Sequence, residues 1–474
     1  MNFEKKRRDN MVGYLHSIFN FKKLTPAQKI VTSFILVILV GTFLLMLPVS
    51  NRDGQVLGIV DALFTSTSAT CVTGLVTNVT ADQFTSFGHL IILILIQIGG
   101  LGLMTLMAVF ILMLKSRLTM QEKITVKEML NHDCVFDMRK FILDIMKYTF
   151  LFESIGAFFL SFRMIQSFGW VHGISKAIFL SVSAFCNAGF DTLGPDSLAF
   201  YGRDPLVSIP IMILVVLGGL GFTVWIDLRD KSKPFLKRQI SFRKLKKSLS
   251  LHSKVVLYMT GILIVATAFV IFCTESQNPN TLQDMTIPQR VMTSLFESIA
   301  LRTAGFTSIA YGSLYVATKF FMLIIMFIGG SPGGTAGGIK TTTVAIFVLF
   351  LWSSLHGREV TTLKRRTIQR EVAIRSLSIL TINIIVLFTG IFLLCLTESH
   401  SFLDIVFEAV SAMATVGSSL GITADLTTAG KFIIIVMMFV GRIGITTLFI
   451  SLIKPKQNIN TNHVTFPTGN VIVG

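Results

Sequence analysis

The chain is 474 residues long, 52% hydrophobic and only 14% charged, with 41 Phe, whereas a soluble domain is about 25% charged. A mean hydropathy of +0.71 excludes a soluble globule, a disordered chain and a disulfide-rich secreted scaffold, and leaves a lipid bilayer as the solvent. The net charge of +17 points to the membrane surface and not to nucleic acid, because 30 of the 42 Lys and Arg fall in 1–24, 115–140, 229–254, 358–375 and 454–456, between apolar runs and without an aromatic-studded basic domain.

The basic lead, with Lys5 to Arg8, precedes the apolar run Ile30–Ser50. That run can cross a bilayer and has no small-residue cleavage site, so it reads as a first membrane helix and not as a signal peptide. A shorter apolar segment then ends as TSATCVTGL (67–75), and a second long run covers 89–114. The same order recurs with long runs at 141–166 and 205–226, at 255–274 and 316–350, and at 376–397 and 430–453. The intervening short segments end as SAFCNAGF (183–190), ALRTAGF (300–306) and SAMATVGS (411–418). At about 13 residues they are too short to cross and are expected to be re-entrant half-helices. Eight spans, with the basic stretches inside, place both termini in the cytoplasm.

Each short segment closes on a small-residue approach and a glycine: Gly74, Gly189, Gly305 and Gly417, spaced 115, 116 and 112 residues apart. A shared span–half-span–span pattern around each makes this a fourfold internal repeat. The expected fold is an all-α polytopic membrane protein, four tandem helix–pore loop–helix repeats around a pseudo-fourfold central pore. Its divisions are a basic cytoplasmic segment 1–24, repeats at 25–120, 139–229, 252–357 and 372–455, and a C-terminal tail 456–474.

Half-helices that end at a common axis direct their negative dipole ends there, which favours a cation. Glycine suits backbone that turns its carbonyls toward that axis, since a Cβ would disfavour the conformation and fill the opening. Three residues before each glycine stand Cys71, Cys186, Arg302 and Ala414. Side chains so unlike one another do not make one ring of ligands, so the main chain is expected to face the ion, as in carbonyl-lined filters. Four turn glycines without ion contact are the plainer alternative.

A second repeated element follows 24 to 29 residues after each glycine: IGGLGLMT (98–105), LGGLGFTV (217–224), IGGSPGGTAGGIKTT (328–342) and VGRIGITT (440–447). In the first two copies close helix packing through small residues accounts for it. The third copy carries six Gly and Pro332 within 329–340, which a continuous helix would not tolerate at about 1 kcal/mol per Gly and about 3 kcal/mol for Pro. A broken helix with a mobile loop is expected there, against the simpler alternative of a rigid kink filled by neighbours. Gly338, Lys340 and Thr341 half-resemble a nucleotide-binding loop, but Ile339 intervenes and no strand precedes the motif. In the fourth copy Arg442 stands where the first two have Gly100 and Gly219. A charge at membrane depth calls for a function or a partner: an electrostatic barrier in the cavity, or a structural ion pair with an acidic residue or a chain terminus.

Glu153 and Arg163 are ten residues apart on one expected span, too far for mutual pairing, so each is expected to pair across helices. Asp61 and Asp404 open half-helices, where a carboxylate suits the helix dipole. The five Cys (71, 134, 186, 273, 395) show no pairing motif and read as small hydrophobes. The eight His show no metal-binding spacing and the spans hold no paired carboxylates, so an enzyme is not expected.

The four loop motifs, SATCVTGL, SAFCNAGF, RTAGF and ATVGS, together resemble those of the Trk/Ktr/HKT superfamily of cation transporters, and of KtrB-type membrane subunits in particular, from about residue 24 to the C-terminus. The resemblance implies a potassium-selective filter formed by Thr73-Gly74, Ala188-Gly189, Ala304-Gly305 and Val416-Gly417, with potassium as the substrate and no cofactor in this chain. It implies an intramembrane gate comprising Gly329, Gly330, Gly333, Gly334, Gly337, Gly338 and Lys340, with Arg442 beside it. It implies a homodimer and a cytoplasmic ring of RCK-domain subunits of the KtrA type, since no polar stretch of this chain is long enough to fold as a nucleotide sensor. Gly at position 74, where sodium-admitting members tend to have Ser, favours potassium. Ser418-Ser419, where an apolar residue is common, departs from the pattern and leaves sodium permeation or sodium dependence open.

Overall fold

The computed structural model describes residues 25–452 except 55, 103–137, 195–196, 240, 359 and 364–365. The segment 1–24, the tail 456–474, Cys134 and nearly all of 115–140 lie outside the described residues.

Four long apolar helices each open a repeat: α1 (Pro26–Met46), with α4 (Met138–Phe168), α9 (Leu251–Glu275) and α13 (Arg370–Thr397) following in chain order. All four are long and apolar enough to cross a membrane. Phe43, Phe158, Phe269 and Phe388 on them are each at least 60% exposed, an outward face that only lipid would tolerate. The first begins at a capping box, in which Thr25 accepts from the Gln28 amide, Gln28 accepts from the Thr25 amide, and Pro26 fixes the first turn.

The half-helices are α2 (Ile59–Cys71), α5 (Trp170–Cys186), α10 (Ile287–Ala300) and α14 (Phe402–Ala414). The closing elements are α3 (Ser86–Leu101), the pair α6 (Pro205–Leu220) and α7 (Phe222–Leu236), the pair α11 (Val316–Phe327) and α12 (Thr341–Leu355), and the pair α15 (Thr428–Ile443) and α16 (Ile445–Leu452). A short basic helix, α8 (Phe242–Ser248), and a two-residue hairpin, β1 (Thr362–Leu363) with β2 (Arg366–Thr367), lie between repeats.

The closing elements correct the expectation of continuous spans at 205–226 and 430–453. The helix breaks at Gly221 (φ 93, ψ 139) and at Gly444 (φ 86, ψ 132), and α3 stops at Gly102 (φ 80, ψ 128). These angles are open to glycine and costly for any residue with a Cβ. Across Gly221 the axis turns by 97°. In the third repeat Pro332 occupies the corresponding position and the break widens to the stretch between Phe327 and Thr341. All four closing elements are therefore interrupted at one register, where only the third break was expected.

Packing closes the repeats into a ring. Element α3 of the first repeat lies on half-helix α5 of the second, α6 on α10, α11 on α14, and α15 on α2 of the first. Small residues permit this approach: a Cβ on Gly99, Gly218 or Gly441 would run into the carbonyl oxygen of Thr70, Phe185 or Met413, each in the last turn of a half-helix. Charges are placed as expected. Arg163 reaches Asp204 at 2.7 Å, Gln97 donates to Glu153 at 3.1 Å, and Lys431 in the first turn of α15 pairs with Asp61 in the first turn of α2 at 2.8 Å. Of the described cysteines Cys71 and Cys186 are buried, whereas Cys273 and Cys395 are exposed on α9 and α13.

Candidate functional site

The half-helices deliver four loops to one place by nearly identical means. In the first, second and fourth, the residue after the last helical turn is left-handed: Val72 (φ 56), Asn187 (φ 59) and Thr415 (φ 52). The next amide then turns back, so that Thr73 donates to Ser68 O, Ala188 to Ser183 O and Val416 to Ser411 O, each at 2.8 Å. This is a Schellman-type stop, built on β-branched residues in two of three cases, which is unfavourable outside a constrained site. The third loop ends a turn earlier, with Thr303 (φ 74) as its left-handed residue and Ala304 donating to Ala300 O at 2.9 Å.

Two residues beyond each left-handed position come the glycines, also at positive φ: Gly74 (97), Gly189 (71), Gly305 (70) and Gly417 (91). They meet in cyclic order. A Cβ on Gly74 would lie 3.1 Å from the Cα of Gly189, one on Gly189 3.3 Å from that of Gly305, one on Gly305 3.1 Å from that of Gly417, and one on Gly417 3.0 Å from that of Gly74. Each would also strike the carbonyl of the preceding residue in the next loop: Ala188 O, Ala304 O, Val416 O and Thr73 O, in the same order. All eight sequence-expected filter residues are thus brought together, with main-chain oxygens between glycines. The side chains of Cys71, Cys186 and Arg302 remain buried behind the ring.

Serines not singled out from sequence fix two of these glycines. Ser68 Oγ accepts from the Gly74 amide and Ser411 Oγ from the Gly417 amide, each at 3.1 Å. On one side of the ring a pocket of about 350 Å³ opens, lined by the four glycines and by residues that follow them, among them Asp191, Thr307, Ser419 and Thr423.

On the other side lies the stretch from Ile328 to Lys340. It is held by the main chain of the second repeat: Ser331 donates to Gly219 O at 3.0 Å, Thr335 to Gly218 O at 3.1 Å, and Phe222 to Gly333 O at 2.9 Å. The Thr335 hydroxyl donates to Phe185 O at 3.0 Å. Gly333 and Gly338 are left-handed (φ 71 and 65), and Gly329, Gly337 and Gly338 lie so close to other atoms that a Cβ would not fit. Gly338 faces Ala414 O and Gly337 faces Thr415, so the loop reaches from the second repeat to the end of the fourth half-helix. Gly330 and Gly334 face Gly219 O, and Lys340 Nζ turns back to Ala336 O at 2.8 Å.

Arg442 completes this side. Its guanidinium donates to Thr335 O in the loop and to Gly99 O and Gly100 O in the first repeat. Its partners are backbone carbonyls, and among the described residues no carboxylate pairs with it. This removes the acidic-residue form of the structural ion pair; the tail that includes the C-terminus lies outside the described residues.

A helical membrane protein whose half-helices converge on a ring of main-chain carbonyls belongs to the class of polytopic ion-transport proteins. Residues 15–462 match the TrkH family, described as cation transport protein, and the chain belongs to that family. It is 39% identical over 461 residues to Ktr system potassium uptake protein B of Bacillus subtilis, covering 96% of this chain and 98% of that protein. It is 37% identical to the potassium/sodium uptake protein NtpJ of Enterococcus hirae, over 96% and 98% of the two chains, and 37% identical to Ktr system potassium uptake protein B of Vibrio alginolyticus, over 94% of each. The crystal structure of the potassium transporter TrkH from Vibrio parahaemolyticus superposes with a TM-score of 0.67 at 18% identity, covering 89% of this chain and 85% of that one, a likeness of fold.

Proposed function

We propose that the chain is the ion-conducting subunit of a potassium uptake system, with a selectivity filter of backbone carbonyls at Thr73-Gly74, Ala188-Gly189, Ala304-Gly305 and Val416-Gly417. The observation that carries this reading is the closed cycle of glycine contacts, with a carbonyl oxygen between each pair. A cation passing there exchanges water for main-chain oxygens, whose spacing is set by glycines that cannot move apart without breaking the turns behind them. Three half-helices end within three residues of their glycine, so their dipoles add a favourable field.

The gate is the loop 328–340 with Arg442. Lying against the side of the ring opposite the pocket and stapled to the second and fourth repeats, the loop blocks passage in this arrangement. Arg442 ties it to the first repeat and sets a fixed positive charge in the cation path. Opening requires those backbone hydrogen bonds to be exchanged for water. As in the family resemblance, the chain works as a homodimer in the cell membrane, under a cytoplasmic ring of RCK subunits; two relatives are lettered components of a Ktr system.

Permeation by sodium is the second reading, favoured by Ser418-Ser419 after the fourth glycine and by the 37% identity to a protein named for potassium and sodium uptake. Rubidium isotope flux into proteoliposomes, with potassium, sodium and lithium as competitors, separates the two. Competition by potassium alone, lost in Gly305→Ser, is the expected result; equal competition by sodium in the wild type would replace the potassium filter with a general cation pore.

A further inference from the structure

We propose that Glu408 and Glu297 are positioning residues for cation selection, each clamping the exit of its loop, the first of them through Ser419. The inference rests on the filter reading above and adds to it the parts that hold the third and fourth loops in place.

A Phe recurs in every half-helix, at Phe64, Phe179, Phe296 and Phe407, and is at most 5% exposed in each. The residue after it is Thr65, Leu180, Glu297 and Glu408, so two repeats of four place a carboxyl group at one register, fully buried in both. Among the described residues no Lys or Arg pairs with either. Their partners belong to the loops. Glu408 accepts from the Ser419 hydroxyl at 2.7 Å and the Thr423 hydroxyl at 2.6 Å, and the Ser419 oxygen in turn accepts from the Gly421 amide at 3.0 Å. Glu297 accepts from the amide and hydroxyl of Ser308, at 2.8 and 2.7 Å, and from the Tyr311 hydroxyl at 2.5 Å.

Ser419 and Thr423 line the pocket beside Gly417, as Thr307 does beside Gly305. A buried carboxyl group satisfied only by loop donors is costly to expose or to leave bare, so the loops stay where the carboxyls need them. The exits of these two loops are thereby fixed two to six residues beyond their glycines. In this light Ser419, the departure from the apolar pattern, is the donor that Glu408 requires. An apolar residue there would leave that acceptor half-satisfied.

The test is rubidium flux by the full chain in proteoliposomes, with potassium and sodium as competitors, for wild type, Glu408→Gln, Ser419→Ala, Thr423→Val, Glu297→Gln and the filter control Gly417→Ser. Thermal melting checks that each variant is folded. Glu408→Gln and Ser419→Ala are expected to reduce the preference for potassium over sodium by about five-fold, the equivalent of one hydrogen bond, with a smaller change in maximal flux. If Glu408→Gln fails to fold, Ser419→Ala and Thr423→Val carry the test. A wild-type preference in the clamp variants beside a lost preference in Gly417→Ser overturns the clamp and leaves the filter standing. A wild-type preference in every variant, Gly417→Ser included, overturns the filter reading and the clamp with it.

Discussion

A single added carbon separates most of the sites in this molecule from collapse. At Gly99, Gly218 and Gly441 a Cβ would enter the carbonyl of a half-helix, and at the four ring glycines it would enter the neighbouring loop. The two sets predict different failures. Gly218→Ala is expected to cost about 1–3 kcal/mol through overpacking, read as a lowered melting temperature in detergent, with potassium preference unchanged in the protein that remains folded. The ring variants are expected to change preference. Equal effects of Gly218→Ala and Gly305→Ser on ion competition would mean that the ring has no special relation to the ion. The ring glycines were legible in sequence because four copies of one motif align. The left-handed Val72 and Thr415 and the capping Ser68 and Ser411 were not, since β-branched residues at positive φ run against local preference and are imposed by the surrounding packing. The recurrent buried Phe was in plain view, at the same spacing as the glycines, and its register would have exposed Glu297 and Glu408.

Among the elements, the loop between α11 and α12 differs from its three counterparts only in length and hydrogen bonding. Each closing element breaks at the same register, but Gly102, Gly221 and Gly444 make the break in one residue. Sequence propensity identified the third break because Gly and Pro accumulate there. It missed the others because a lone glycine in an apolar run is also tolerated inside a helix. The extra length gives the third repeat a segment able to occupy the axis, and its contacts say what holds it. Thr335→Val removes the hydroxyl bond to Phe185 O, and Arg442→Gln removes the charged donor to Thr335 O and Gly99 O. A hydrogen bond from a charged group contributes about 1.5–3 kcal/mol. Arg442→Gln is therefore expected to raise basal rubidium flux about 10- to 100-fold, and Thr335→Val to raise it less. Unchanged or reduced flux in both variants, at wild-type melting temperature, would rule out a gate at this loop.

At the scale of the whole molecule, a chain in which each closing element packs on the half-helix of the following repeat, and the last packs on the first, is one closed ring and not four independent units. Composition and the recurrence of motifs made the membrane class and the repeat order legible. The closure was not, because it depends on contacts such as Lys431 with Asp61, 370 residues apart in sequence. Everything proposed for the site depends on a cation resting inside that ring. The most direct test is anomalous diffraction from crystals grown in rubidium or thallium salts in place of potassium. An anomalous peak on the axis between Gly74, Gly189, Gly305 and Gly417, lost in sodium, is the expected result. Heavy-ion density confined to other parts of the molecule, with nothing at the ring, would contradict a carbonyl filter at these residues.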